Sequence, residues 1–228
     1  MKLLLFDIDG TLLLSGGAGL RGMNRAFEKL YNIPNILDGI TLSGRTDNKI
    51  MEDAFYKAGL EFSSDELEKF KTVYFQVIEE EGHTNVNNKR TMPGVDDLLP
   101  RLAARNDVYL GLLTGNWEKS GRTKLGFFDL NKYFVFGAFS DDSSNRNELA
   151  PIAMNRFKQI FDIEPHLDEV YVIGDTPADM LEGRNAGCRG VVGVLSGPRP
   201  VTAWGKYWHT HVIESVKDLP ELIKAEFM

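Results

Sequence analysis

The chain of 228 residues is predicted to fold as an α/β protein, a parallel sheet joined by crossover helices, with a helical segment inserted after the first strand. Three observations predict this. Short apolar runs bounded by turn residues recur along the chain, the pattern of strands buried on both faces. From Val108 onward these runs alternate with stretches of helical periodicity, the rhythm of a parallel sheet. The first two runs are separated by about a hundred residues, where a crossover needs a few tens, so something is inserted between them.

The first strand is Leu3 to Phe6. The insert reads as three helices: Leu20, Met23, Phe27 and Leu30 share one face, Ile50, Met51, Ala54 and Phe55 a second, and Leu67, Phe70, Tyr74 and Val77 a third. Ser63 followed by Glu66 has the form of a capping box for the third. Ser15-Gly16-Gly17-Ala18-Gly19 and the polar stretch from Asn85 to Thr91 look like the two hinges of a lid. The expected division is therefore residues 1–15 with 89–228 as one unit and 16–88 as the other. A helix begins near Pro93-Gly94-Val95, and Pro100 should kink or split it because a proline removes a backbone donor. Strands follow at Val108 to Thr114, Tyr133 to Phe139, Val170 to Gly174 and Gly190 to Val194, with helices at Glu118 to Leu125, Leu149 to Ile160 and Ala178 to Ala186. A strand at Thr210 to Ile213 and a helix around Leu219 to Ala225 close the fold.

Composition narrows the class of function. Hydrophobic residues make up 43% and charged residues 26%, which is globular usage. With 26 Lys+Arg against 33 Asp+Glu the net charge is −7, a field that repels nucleic acid and anionic lipid, so neither is expected as a partner. Leu3-Leu4-Leu5-Phe6 is too short for a signal segment and is stopped by Asp7 and Asp9, so a cytoplasmic location is expected. The single cysteine, Cys188, allows no intramolecular disulfide and reads as packing beside a strand. His209-Thr210-His211 lacks a nearby third metal ligand and reads as an exposed strand start. Trp204, Tyr207 and Trp208 form an aromatic cluster in a loop to which no role is given.

The chemistry gathers at strand ends. The first strand delivers Asp7-Ile8-Asp9-Gly10-Thr11 at its carboxyl end, the edge of a parallel sheet where ligands sit. Two carboxylates two residues apart can divide labour there, one as nucleophile and the other as proton donor and acceptor. The second run ends in Thr114-Gly115-Asn116, a hydroxyl and two backbone N–H groups that can hold phosphoryl oxygens. After the third comes Asp141-Asp142-Ser143-Ser144-Asn145-Arg146, with Arg146 placed to meet negative charge. The fourth ends in Gly174-Asp175-Thr176-Pro177-Ala178-Asp179, two acids spaced to face one hard cation. Each cluster alone reads equally as a turn or a helix cap. Four at successive carboxyl ends favour a site.

In this order the motifs resemble those of the haloacid dehalogenase superfamily, in its phosphoglycolate phosphatase-like branch: Asp7-x-Asp9-Gly10-Thr11 the first, Thr114-Gly115-Asn116 the second and Gly174 to Asp179 the fourth. The third motif, usually a Lys before a helix, is assigned to Arg146, because Lys124 lies too early and Lys158 too deep in the next helix. The resemblance implies a Rossmann-like core with a helical cap and a Mg²⁺-dependent phosphatase acting on a small phosphorylated metabolite. It implies that Asp7 attacks phosphorus to form an aspartyl-phosphate and that Asp9 serves as acid and then base. Mg²⁺ would be held by Asp7, the Asp9 backbone carbonyl and Asp175, with Asp179 in the outer shell. Thr114, the N–H groups of Gly115 and Asn116, and Arg146 would neutralise the phosphoryl oxygens. Among the basic residues of the cap, Arg45 in Gly44-Arg45-Thr46-Asp47 is the favoured substrate contact.

Rival readings remain. A sugar-phosphate mutase resembling β-phosphoglucomutase uses the same motifs. The dehalogenase reaction that names the family needs neither a second acid nor a metal, and a catalytically silent binding protein would ordinarily have lost an acid. Gly17-Ala18-Gly19-Leu20-Arg21-Gly22 matches the G-x-G-x-x-G of NAD-binding modules, but Asp7 to Ser15 intervenes where the glycines should follow the strand directly.

Overall fold

A computed structural model describes residues 1–84, 88–197 and 210–225, with side chains through Leu222. Six strands form one sheet: β1 Lys2–Phe6, β4 Val108–Leu113, β5 Gly137–Ala138, β6 Val170–Gly174, β7 Gly190–Val194 and β8 His211–Ile213. Their order is β5-β4-β1-β6-β7-β8 and every pairing is parallel. β1 therefore lies in the middle, between β4 and β6, and all five of its residues are buried, which explains an apolar run with no alternation. The crossover helices α4 Val95–Ala103, α5 Glu118–Gly126, α6 Leu149–Phe161 and α7 Pro177–Asn185 cover the sheet, and α8 Leu219–Ala225 ends the described chain. The expected architecture, an α/β sheet of Rossmann-like type, is what the chain adopts.

The insert contains α1 Ala18–Tyr31, α2 Asp47–Ala58 and α3 Ser64–Gly82, and their apolar faces meet in one cluster around Phe27, Phe55, Phe70 and Tyr74. Trp117, from the loop after β4, is fully buried in the same cluster, 5.6 Å from Tyr74 between ring centres. Hydrophobic packing thus continues from the insert into the loop beside the sheet edge.

Several local expectations change. The second hinge segment pairs with residues at the entry to the first as a short antiparallel ribbon, β2 Leu13–Ser15 with β3 Lys89–Thr91, Ala18 and Gly19 already belong to α1, and residues 85–87 lie outside the described part. The run Tyr133 to Phe139 is a strand only at Gly137–Ala138 and opens with a 3-10 turn at Asn131–Tyr133. Its apolar residues serve two sides of the sheet, Phe134 in one core cluster and Phe136 in another, with Val135 exposed between them. Pro100 does not split its helix: it lies on the exposed face of α4, where the carbonyl it leaves without a helical donor can face water. Ser63 caps α3 by accepting from the Glu66 amide, but the reciprocal half of the box is missing because Glu66 accepts from the Tyr31 hydroxyl instead. Cys188 is buried, and burial pushes its thiol up to about 12. His209 and the Trp204 to Trp208 loop fall outside the described residues. Among those described, no helix is long and apolar enough to cross a membrane.

Candidate active site

The Asp7 amide donates to the Ile173 carbonyl of β6 at 2.9 Å, so Asp7 leaves the sheet at the carboxyl edge of its central strand. The chain then turns sharply. Gly10 has φ +92°, and a Cβ there would collide with the Asp175 carboxylate, so the turn requires glycine twice over. Ile8 points into the core, while Asp7 and Asp9 both line one cavity of about 430 Å³.

Carboxylate oxygens of Asp7, Asp175 and Asp179, all buried, lie within 4.8 Å of one another. Asp179 is fixed by the capping box that starts α7, its Oδ2 accepting from the Thr176 amide at 2.8 Å and hydroxyl at 2.6 Å, while its Oδ1 accepts from the Arg146 guanidinium. Arg146 Nη2 lies 3.6 Å from Asp7 Oδ1, and its Nε donates to Glu182 at 2.9 Å. Burial, then the charge of Asp179, pushes Asp7 up to about 7 against the pull of Arg146. Burial likewise raises Glu182, to about 8. Acids set side by side away from water favour a cation among them, and a donor set made only of oxygen suits a hard divalent ion. These residues therefore fit Mg²⁺.

The wall opposite is neutral and cationic. The buried Thr114 hydroxyl accepts from the Asn116 side-chain amide at 2.8 Å, and that amide also donates to Asp9 Oδ2 at 2.9 Å. Lys124 Nζ donates to Asp9 Oδ2 at 2.6 Å and to Asn116 Oδ1 at 2.5 Å, and its side chain is only 6% exposed. Arg146, assigned to the third motif, stands beside Asp7, and Lys124, set aside there, stands beside Asp9; both cations line the cavity. The sequence signal for Lys124 was its place on the buried face of α5 with Ser120, Gly121 and Leu125. Arg45 also lines the cavity, but its guanidinium is held by Asp53 at 2.6 Å and by the carbonyls of Thr41 and Lys49.

The insert closes the cavity from above at the first turn of α2. The Asp47 amide donates to the Gly115 carbonyl at 2.7 Å, and Asp47 Oδ2 accepts from the Trp117 amide at 2.9 Å. Asn48 bonds the Ser140 hydroxyl and carbonyl at 2.9 and 2.7 Å and accepts from the Trp117 indole at 2.6 Å. A Cβ on Gly115 would collide with the Arg45 carbonyl, which explains glycine between Thr114 and Asn116. Burial pushes Asp47 up to about 6, the nearby Lys124 ammonium opposing it. None of these seam contacts is encoded by a motif.

Comparison with known proteins gives the family and the fold. The family model of haloacid dehalogenase-like hydrolases matches residues 4–193. A D-glycero-beta-D-manno-heptose-1,7-bisphosphate 7-phosphatase of Pasteurella multocida is 33% identical over 89 residues, 39% of this chain and 46% of that protein, so the match spans about half the relative's length. A Clostridium perfringens protein provisionally named pyrophosphatase PpaX is 23% identical over 205 residues, 83% of this chain and 82% of its own. The crystal structure of a hydrolase from Pseudomonas syringae has the same fold, with a TM-score of 0.71 at 22% identity, covering 99% of each chain.

Proposed function

The chain belongs to the haloacid dehalogenase-like hydrolases, and from that premise we propose that it is a Mg²⁺-dependent phosphatase of small phosphate monoesters, working through an aspartyl-phosphate on Asp7. The observation that carries the reading is the position of Asp7. It is buried at the central strand end, beside Asp175 and Asp179 and 3.6 Å from Arg146, which also bonds Asp179, on a cavity that Asp9 also faces. Such a carboxylate can approach phosphorus in line while positive charge offsets its repulsion from the ester.

In the first step Asp7 forms a bond to phosphorus, the ester P–O bond breaks and Asp9 gives its proton to the departing alkoxide. In the second, Asp9 takes a proton from water, which attacks the phosphoryl group, releases phosphate and restores Asp7. Thr114, the Gly115 and Asn116 amides and Arg146 are the donors for the phosphoryl oxygens. Lys124 and Asn116 orient Asp9 by holding its Oδ2. Asp7, the Asp9 carbonyl and Asp175 would hold Mg²⁺, with Asp179 behind them, and the ion would supply charge neutralisation at the phosphoryl oxygens. Residues 16–88 form the cap and residues 1–15 with 89–228 the core. Closure at the seam with α2 would exclude water that is not the nucleophile. A cytoplasmic location and a small phosphorylated metabolite as substrate, with neither nucleic acid nor membrane as partner, complete the proposal.

The test is a panel of metabolite monoesters assayed with Mg²⁺ and after its removal. Release of phosphate from several esters only with the ion present is expected. Undiminished turnover without a divalent ion, or none under either condition, refutes the reading.

A further inference from the structure

The cap side of the cavity bears on the leaving group. Among the described residues, three cations line the cavity, and a carboxylate already engages each: Arg45 with Asp53 at 2.6 Å, Lys124 with Asp9 at 2.6 Å, and Arg146 with Asp179 and Glu182. Arg21 and Arg25, the other basic side chains at the near end of the cap, ion-pair with Glu81; one Arg21 nitrogen, Nη2, is buried without a partner, but neither side chain lines the cavity. A substrate with a second acidic group would need a cation beyond those that meet the phosphoryl group, and among the described residues the cap lines the cavity with Arg45 alone, already paired with Asp53.

It offers instead an apolar surface from Leu20, Met23, Leu42 and Ile50, interrupted by Asp47 and Tyr74. Asp47 uses Oδ2 for the Trp117 amide and the Ser120 hydroxyl, and no described residue donates to its Oδ1. The Tyr74 hydroxyl is fully buried without a hydrogen-bond partner, the neighbouring Ser120 hydroxyl being 3.0 Å from the Trp117 carbonyl. An unsatisfied buried hydroxyl carries a desolvation penalty, and its place on the cavity lining makes a ligand the natural partner. An acceptor and a donor among these apolar side chains, beside the loop that carries Thr114, Gly115 and Asn116, match an alcohol oxygen.

We propose that the leaving group accepted here is an uncharged alcohol carrying a further hydroxyl, bound by Asp47 Oδ1 and the Tyr74 hydroxyl, and that a second anionic group on the substrate is rejected. The inference rests on the phosphatase reading and deepens it. It turns the expectation away from phosphoglycolate, which carries a carboxylate, and from bisphosphates.

The test compares kcat/KM for 2-hydroxyethyl phosphate and 2-phosphoglycolate, which differ by a terminal hydroxymethyl or carboxylate, with para-nitrophenyl phosphate as a generic ester and Mg²⁺ throughout. A preference of at least about tenfold for the hydroxyethyl ester is expected, since a site built around unpaired polar groups discriminates strongly. Tyr74→Phe and Asp47→Asn should each reduce that ratio by about fivefold or more, and a ratio cancels any loss common to both substrates. Tyr74→Phe removes only a hydroxyl that bonds nothing in the protein, so it reports even if Asp47→Asn misfolds. Equal or better use of phosphoglycolate, with para-nitrophenyl phosphate turned over, overturns the inference and leaves the phosphatase reading standing. A preference unchanged in Tyr74→Phe overturns the subsite. No hydrolysis of any of the three overturns the phosphatase reading and this inference with it.

Discussion

Removing Arg146 should carry to higher pH the fall in stability that buried Glu182 imposes on the protein, through a residue outside the proposed chemistry. Glu182 is 0% exposed and accepts from Arg146 Nε at 2.9 Å, and Arg146 is itself 11% exposed. Burial already raises Glu182 from 4.5 to about 8 with the guanidinium present, and the guanidinium is the main influence pulling it down. In Arg146→Leu that pull is gone, so native Glu182 keeps its proton to higher pH than in the wild type, while the unfolded chain loses it near 4.5. The native state then binds one more proton than the unfolded state. Stability is full below the unfolded value and declines by about 1.4 kcal/mol for each pH unit above it. From about pH 5.5 to 8.5 the loss traceable to Glu182 comes to about 4 kcal/mol. Arg146→Leu/Glu182→Gln lacks that proton, and since every other acid is common to both variants, the difference in slope isolates Glu182. Urea unfolding followed by circular dichroism across this range, in chelator, measures it. Identical pH slopes for the single and double variants would refute the reasoning.

Three further outcomes follow from the same geometry. Lys124→Met should lower kcat by about 10- to 100-fold, because Asp9 loses the cation that holds it, with partial recovery in Lys124→Arg; steady-state kinetics decide. Gly10→Ala should cost about 2 kcal/mol or more in chemical denaturation, since it forces a side chain into φ +92° and against the Asp175 carboxylate. Mg²⁺ should raise the thermal midpoint of the wild type but not of Asp175→Asn, because an ion bound only by the native state stabilises by mass action.

What the sequence made legible was local. The burial of β1 on both faces is written in Leu3-Leu4-Leu5-Phe6, and the acids that follow at Asp7 and Asp9 stand next to it in the chain. The faces of the three inserted helices follow from 3.6-residue periodicity, and their aromatic residues do meet. The region around Phe134 and Phe136 misled because an apolar run looks alike whether it pairs as a strand or fills two clusters from a loop. Lys124 was hidden because its role depends on where α5 sits over Asn116, and Asp47 because its partners, Gly115 and Trp117, lie some seventy residues away on the facing loop. Arg45 does line the cavity, while its pairing with Asp53, two turns along α2, is written in no motif.

The central claim is a covalent phosphoryl group on Asp7. The direct measurement is acid-quenched trapping during turnover of a phosphorylated substrate with Mg²⁺, followed by peptide mass spectrometry. A hydroxylamine-labile phosphate on the peptide containing Asp7, absent from Asp7→Asn, is the expected result. A phosphoryl group on another residue, or its persistence in Asp7→Asn, would contradict the account.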